Sequence, residues 1–175
     1  MAIENLLASA KRECPDIAFG MTLQAFAGLH SADMTELKAP EHPNGGSILF
    51  EGNRVIVSLG LKKITIPSDF TEAVKAGYEA HLSFLLSECV DNRYPLFINS
   101  NGTVLSVEGY IRRVKQFGDH IITSDNATLA EVREYLIGTD RRFTGNMLRH
   151  WYAANILETA KQKFKKKGGG ELINK

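Results

Sequence analysis

One short block of β-type pattern inside an otherwise helical sequence constrains this chain more than any other feature. Three runs, Ser47 to Phe50, Arg54 to Leu59 and Lys63 to Ile66, are rich in β-branched and apolar residues, and only Gly52-Asn53 and Gly60-Leu61-Lys62 separate them. Connections this short join antiparallel neighbours, because a parallel pair needs a crossover of a dozen or more residues. The block therefore predicts a three-stranded antiparallel meander. No alternation of strand and helix surrounds it, which argues against a doubly wound sheet.

Helical periodicity accounts for most of the rest. It predicts helices over Ile3 to Lys11 and Ile17 to Ala27 and a short one over Ala32 to Lys38, after which Pro40, Pro43 and Asn44-Gly45-Gly46 mark a loop. Asp69 with Glu72 resembles a capping box opening a helix that runs through Leu86, and Thr128 with Glu131 repeats that signal ahead of a stop at Gly138. Tyr94 to Asn99 reads as extended, followed by an Asn101-Gly102 turn and a helix over Val107 to Phe117. The last helix starts at Thr144 and is expected to reach about Lys166. Met147, Leu148, Trp151, Tyr152 and Ile156 fall at helical spacing and are predicted core. The fold class is thus mainly α with one small three-stranded antiparallel sheet, α+β, in a single domain over 1–167 with a glycine-rich tail over 168–175.

At 175 residues, 43% hydrophobic and 23% charged, the chain is long enough to bury one proper core and is neither disordered nor fibrous in composition. Its longest apolar stretch, Ile17 to Leu29, is interrupted by Thr22 and Gln24 and is too short to span a bilayer. The first residues lack the pattern of a secretory signal, so an intracellular setting and no membrane partner are expected. Cys14 and Cys89 form no C-x-x-C pair, and the five histidines are scattered away from ligand spacing. Neither a metal nor another cofactor is predicted.

Charge is unevenly placed. From Arg141 onward nine Lys and Arg residues face two glutamates, a local +7, and the overall +1 leaves the preceding 140 residues at −6. Such a split points to an anionic partner for the C-terminal end, nucleic acid being the commonest, although a solvated basic helix end has the same composition.

Three segments in order bring a known family into view. Gly28-Leu29-His30-Ser31-Ala32-Asp33-Met34-Thr35-Glu36-Leu37 resembles the Thr-Gly-Leu-Arg…Glu/Asp…Leu helix start of the tyrosine recombinase and phage integrase catalytic domain, with His30 on the first arginine position and Asp33 on the supporting acidic one. Gly60-Leu61-Lys62-Lys63-Ile64-Thr65-Ile66-Pro67 is similar to the hairpin that presents that family's lysine, on Lys62 or alternatively Lys63. Phe143-Thr144-Gly145-Asn146-Met147-Leu148-Arg149-His150-Trp151-Tyr152-Ala153 resembles Thr-Pro-His-x-Leu-Arg-His-Thr-Phe-Ala, with Arg149 on the second arginine and Asn146 on the histidine. A linking stretch, Pro95 to Gly102 followed by Leu105-Ser106, also matches and is structural in the family.

The resemblance implies a tyrosine-recombinase-like fold acting in DNA recombination or integration, whose chemistry stabilises a pentavalent phosphorane with fixed cations while a tyrosine attacks. Arg149, Lys62, His30 and Asn146 are the positional equivalents of catalytic residues. Asp33 and His150 would support them. Arg149, Lys62, Lys63, Arg141, Arg142, Lys163, Lys165, Lys166 and Lys167 are the expected DNA contacts, weak and directed mostly to phosphates. His30 in place of arginine removes a permanent bidentate clamp, and Asn146 cannot transfer a proton at neutral pH. The sequence given also reaches Lys175 only 26 residues past Arg149, ahead of the family's nucleophile. Cleavage by this chain alone is therefore not expected.

Other readings stay open at this stage. His30 with Asp33 can be a surface hydrogen-bonded pair, the hairpin lysines can serve solubility, and Arg149 can be an ordinary ion-pair partner. At the level of function, a nucleophile from a further C-terminal segment or a recombinase partner would make an active enzyme. A non-catalytic protein-interaction module, or a homo-oligomer, is the remaining alternative.

Overall fold

The computed structural model describes residues 3–88, 96–99 and 101–157. Its organising element is a helix buried on every side. Helix α1 (Ile3–Glu13) leads through Cys14 into α2 (Pro15–Ala27), where Pro15 supplies the fixed φ suited to a first helical position and each residue from Ile17 to Ala27 is buried. Helix α2 packs against α1, α3 (Ser68–Ser87), α4 (Val107–Thr123) and α6 (Gly145–Tyr152). An aromatic cluster fills the gaps: Phe19 lies against Tyr78, His81 and Phe97, and Phe26 between Phe70 and Trp151. Burying each such phenylalanine stabilises the fold by roughly 1.5–3 kcal/mol.

The meander forms where the sequence places it. Strands β1 (Ile48–Glu51), β2 (Arg54–Leu59) and β3 (Lys62–Ile66) pair antiparallel in that order. Glu51 pairs with Arg54 and Leu59 with Lys62, which leaves two-residue turns at Gly52-Asn53 and Gly60-Leu61. In both turns the glycine holds a positive φ, 53° and 54°, at the first central position, as a II′ hairpin turn requires. The third strand thus starts at Lys62, one residue earlier than expected. Its inward set is Lys62, Ile64 and Ile66, while Lys63 and Thr65 point to the opposite, exposed face.

Several boundaries differ from expectation for identifiable reasons. Ala32 to Lys38 is only a 3-10 turn, Ala32–Thr35, because both backbone groups of Lys38 are committed elsewhere: its N–H donates to Ser47 Oγ and its carbonyl accepts from Ser47 N–H. Neither expected capping box forms. Pro67 precedes α3, whose start is tied instead to the β1–β2 turn by Thr71 donating to the Asn53 carbonyl and Lys75 to that of Gly52. Asn126 accepts from Thr128 N–H and opens the 3-10 turn Ala127–Leu129 that leads into α5 (Ala130–Gly138). Helix α4 continues past Gly118 to Thr123, since Gly118 is there for close packing: a Cβ at that position would lie 2.6 Å from Phe143 Cβ.

Helix α6 ends at Tyr152 and widens into a π turn over Ala153–Leu157, and the expected continuation to Lys166 lies outside the described residues. Of its predicted core set, Leu148 and Ile156 are buried while Met147, Trp151 and Tyr152 are half-buried against the core. Only part of the Tyr94 to Asn99 stretch is described; Ile98 bridges Val104 across the Asn101-Gly102 turn. Cys14 is buried and its thiol is pushed up to about 12 by burial, then by Asp16; Cys89 lies outside the described residues.

Candidate functional site

The C-terminal end of α2 gathers the motif residues. Gly28 caps α2 in the left-handed conformation at φ 67°, and a Cβ there would sit 2.6 Å from the Tyr152 ring. Glycine thus answers two demands at once, the backbone twist and the approach of α6. The Gly28 carbonyl, unpaired within its helix, accepts a hydrogen bond from Arg149 Nε at 3.2 Å. Arg149 Nη1 donates to Asn146 Oδ1 at 3.3 Å, the contact that helical spacing of three residues allows.

Two residues beyond Gly28 a second set forms. His30 N–H donates to Asp33 Oδ2 at 2.7 Å, and Asp33 N–H returns a bond to the His30 carbonyl at 3.0 Å. The same Asp33 oxygen lies 3.7 Å from Lys62 Nζ. Asp33 therefore joins the first and second motif segments. It holds the His30 backbone and Lys62, and makes no bond to the imidazole. Lys62 reaches this cluster because it occupies the inward face of β3, whereas Lys63 is exposed on the other side of the strand.

Sequence reasoning missed the buried support under these residues. Gln24 is fully buried; its amide nitrogen donates to Ser31 Oγ at 3.2 Å and its carbonyl accepts from Tyr110 OH at 2.9 Å. A Cβ on Gly145 would lie 2.5 Å from that amide, so a larger residue there would push Gln24 aside. One side chain thus holds the His30 loop, α4 and the start of α6 in register. The available signal was a lone amide inside an apolar helix, since a buried amide must find partners.

Charge and access follow from this frame. Of the five N–H donors on Arg149, two bond other described residues, and three have no partner among the described residues. Lys62 is half-exposed and His30 exposed. His30 and Asn146 line one cleft of about 370 Å³ together with Lys115. Asn146 also borders a larger groove of about 930 Å³ that contains Arg141, Arg142 and His150, all exposed. Lys163, Lys165, Lys166 and Lys167 lie outside the described residues. The tyrosines Tyr78, Tyr110 and Tyr152 are all shifted away from phenolate formation, in each case mainly by burial. Among the described residues no three His, Cys, Asp or Glu side chains gather as a metal site, and no helix is long and apolar enough to cross a membrane.

Compared with known proteins, the chain matches no protein family, no curated protein and no solved structure.

Proposed function

We propose that this chain is a tyrosine-recombinase-like catalytic domain that holds duplex DNA by its phosphates and does not cut it alone. The observation that carries the reading is the meeting of three motif segments far apart in sequence. Arg149 hydrogen-bonds the Gly28 carbonyl across 121 positions, and Asp33 links the His30 backbone to Lys62. An arginine with three donors unused among the described residues, and a half-exposed lysine tied through Asp33 to the His30 loop that follows Gly28, offer cations to phosphodiester oxygens. The chemistry supports binding over cleavage: His30 offers no permanent charge at the first arginine position, Asn146 cannot act as a general acid, and burial keeps Tyr110 and Tyr152 protonated.

The test is a DNA titration over a range of salt. Binding should be weak and largely indifferent to sequence, because phosphate contacts position a protein without reading bases. Arg149→Ala should lower the magnitude of the log–log salt slope by about 1 while circular dichroism stays unchanged. Supercoiled and suicide-substrate DNA should remain uncut. Identical binding by wild type and Arg149→Ala near 50 mM salt would overturn the DNA reading and favour a protein-interaction module. A covalent phosphotyrosyl adduct would show instead an active recombinase.

A further inference from the structure

We propose that the groove between α5 and α6 is a binding site for a small organic anion built on a flat, apolar body. Its volume of about 930 Å³ is at the upper end of the range for small-molecule sites, roughly 300–1,000 Å³. Val132 and Met147 supply apolar walls, and Tyr135, 47% exposed, presents its ring to the opening. An aromatic ligand body can stack on that ring.

The charge at the rim selects the other half of the ligand. Arg141 and Arg142 line the groove, and neither guanidinium has an ion-pair or hydrogen-bond partner among the described residues. Their segment is nonetheless fixed at both ends. Arg141 N–H donates to the Leu136 carbonyl at 3.0 Å, and Phe143 is fully buried against Phe117 and Gly118. Two planar cations without partners among the described residues, on a braced backbone, supply the paired N–H donors that a carboxylate or phosphate monoester accepts. Glu131 and Asp140 also line the groove and balance the two arginines in formal charge, so the guanidiniums would select an anion by their directed N–H donors and not by a net positive field.

This proposal stands apart from the DNA reading, and its readout contains no DNA. Full-length chain is titrated with 1-naphthyl phosphate by NMR and calorimetry, with inorganic phosphate and 1-naphthol as separate arms. The naphthyl phosphate should bind at least tenfold more tightly than either fragment. Arg141→Ala/Arg142→Ala, two exposed changes, should weaken it tenfold or more with an unchanged circular dichroism spectrum, and Tyr135→Ala severalfold. Three results would overturn the proposal: equal affinity for wild type and the double variant, inorganic phosphate binding as tightly as naphthyl phosphate, or no probe binding by a chain that sediments as a dimer through this face.

Discussion

The two ends of α2 use similar residue types to opposite effect. At the N-terminal end Asp16 receives two short bonds from one guanidinium, 2.6 Å from Arg113 Nε and 2.8 Å from Nη2. His81 closes the same end by bonding the Leu96 carbonyl at 2.6 Å while its other nitrogen faces the Pro15 carbonyl at 3.3 Å. At the C-terminal end Arg149 makes two single bonds of 3.2 and 3.3 Å, and Lys62 stands 3.7 Å from its carboxylate. Among the described residues Arg113 commits three of its five N–H donors, two to a carboxylate that matches its charge and one to Gln116, whereas Arg149 commits two, both to neutral oxygens, and keeps its charge for a ligand. The first end is a clamp. The second is the end we propose as the site.

The largest effect that would sharpen this contrast comes from Gly28→Val. A side chain in the left-handed region costs about 1–2 kcal/mol and forcing the Tyr152 ring aside about 1–3 kcal/mol more, so a loss of roughly 3 kcal/mol is expected in the unfolding free energy from urea titration. A variant as stable as wild type would mean that α6 does not rest on Gly28. Next comes the pair Arg113→Ala and Arg149→Ala. Arg113 is 37% exposed, so solvent screening limits its ion pair to about 1 kcal/mol of stability, and DNA binding should be untouched. If Arg113→Ala weakens DNA binding as much as Arg149→Ala does, the distinction between clamp and site fails.

Acid should loosen the clamp. Burial among Phe19, Phe84 and Phe97 holds the His81 imidazole below its ordinary value of 6.5, outweighing the carbonyl bonds that act the other way. The unfolded chain therefore takes up a proton that the folded chain refuses. Stability is unaffected by this group well above pH 6.5 and falls as pH drops below it. Urea midpoints measured between pH 7.5 and pH 5.5 should decline for wild type and decline less for His81→Gln.

The smallest effect separates the two aspartates. Asp33→Asn keeps an oxygen for His30 N–H but removes the charge beside Lys62. Because Lys62 is half-exposed and stands 3.7 Å from Asp33, stability should move by less than about 0.5 kcal/mol while DNA affinity rises about twofold. Asp16→Asn should do the reverse, losing stability with no gain in DNA affinity. A filter-binding comparison of the two variants that finds them alike would remove Asp33 from the site.

Some of this arrangement could be read directly from the chain. The II′ turns at Gly52-Asn53 and Gly60-Leu61 fix the register of the sheet, because two residues between alternating strands leave the chain one way to reverse. Register in turn puts Lys62 and Lys63 on opposite faces, so the choice between them follows from strand parity. The spacing of Asn146 and Arg149 likewise sets their contact in advance. Local geometry is enough for each of these.

Other features depended on partners distant in sequence. Nothing near Lys38 announces that Ser47 will take both its backbone groups, and nothing near Gly118 announces Phe143. A glycine in a helix reads locally as a stop, and only the packed neighbour reveals it as a point of close approach. Gln24 shows the same limit at the site, since its role depends on Ser31, Tyr110 and Gly145 arriving together. What the sequence by itself determined, then, is whatever short-range sterics and periodicity dictate: the meander, most of the helices and the faces their residues present. The tertiary structure alone decided which end of α2 matches its guanidinium with a carboxylate and which leaves it on neutral oxygens, because partners are divided among groups only once the helices have packed.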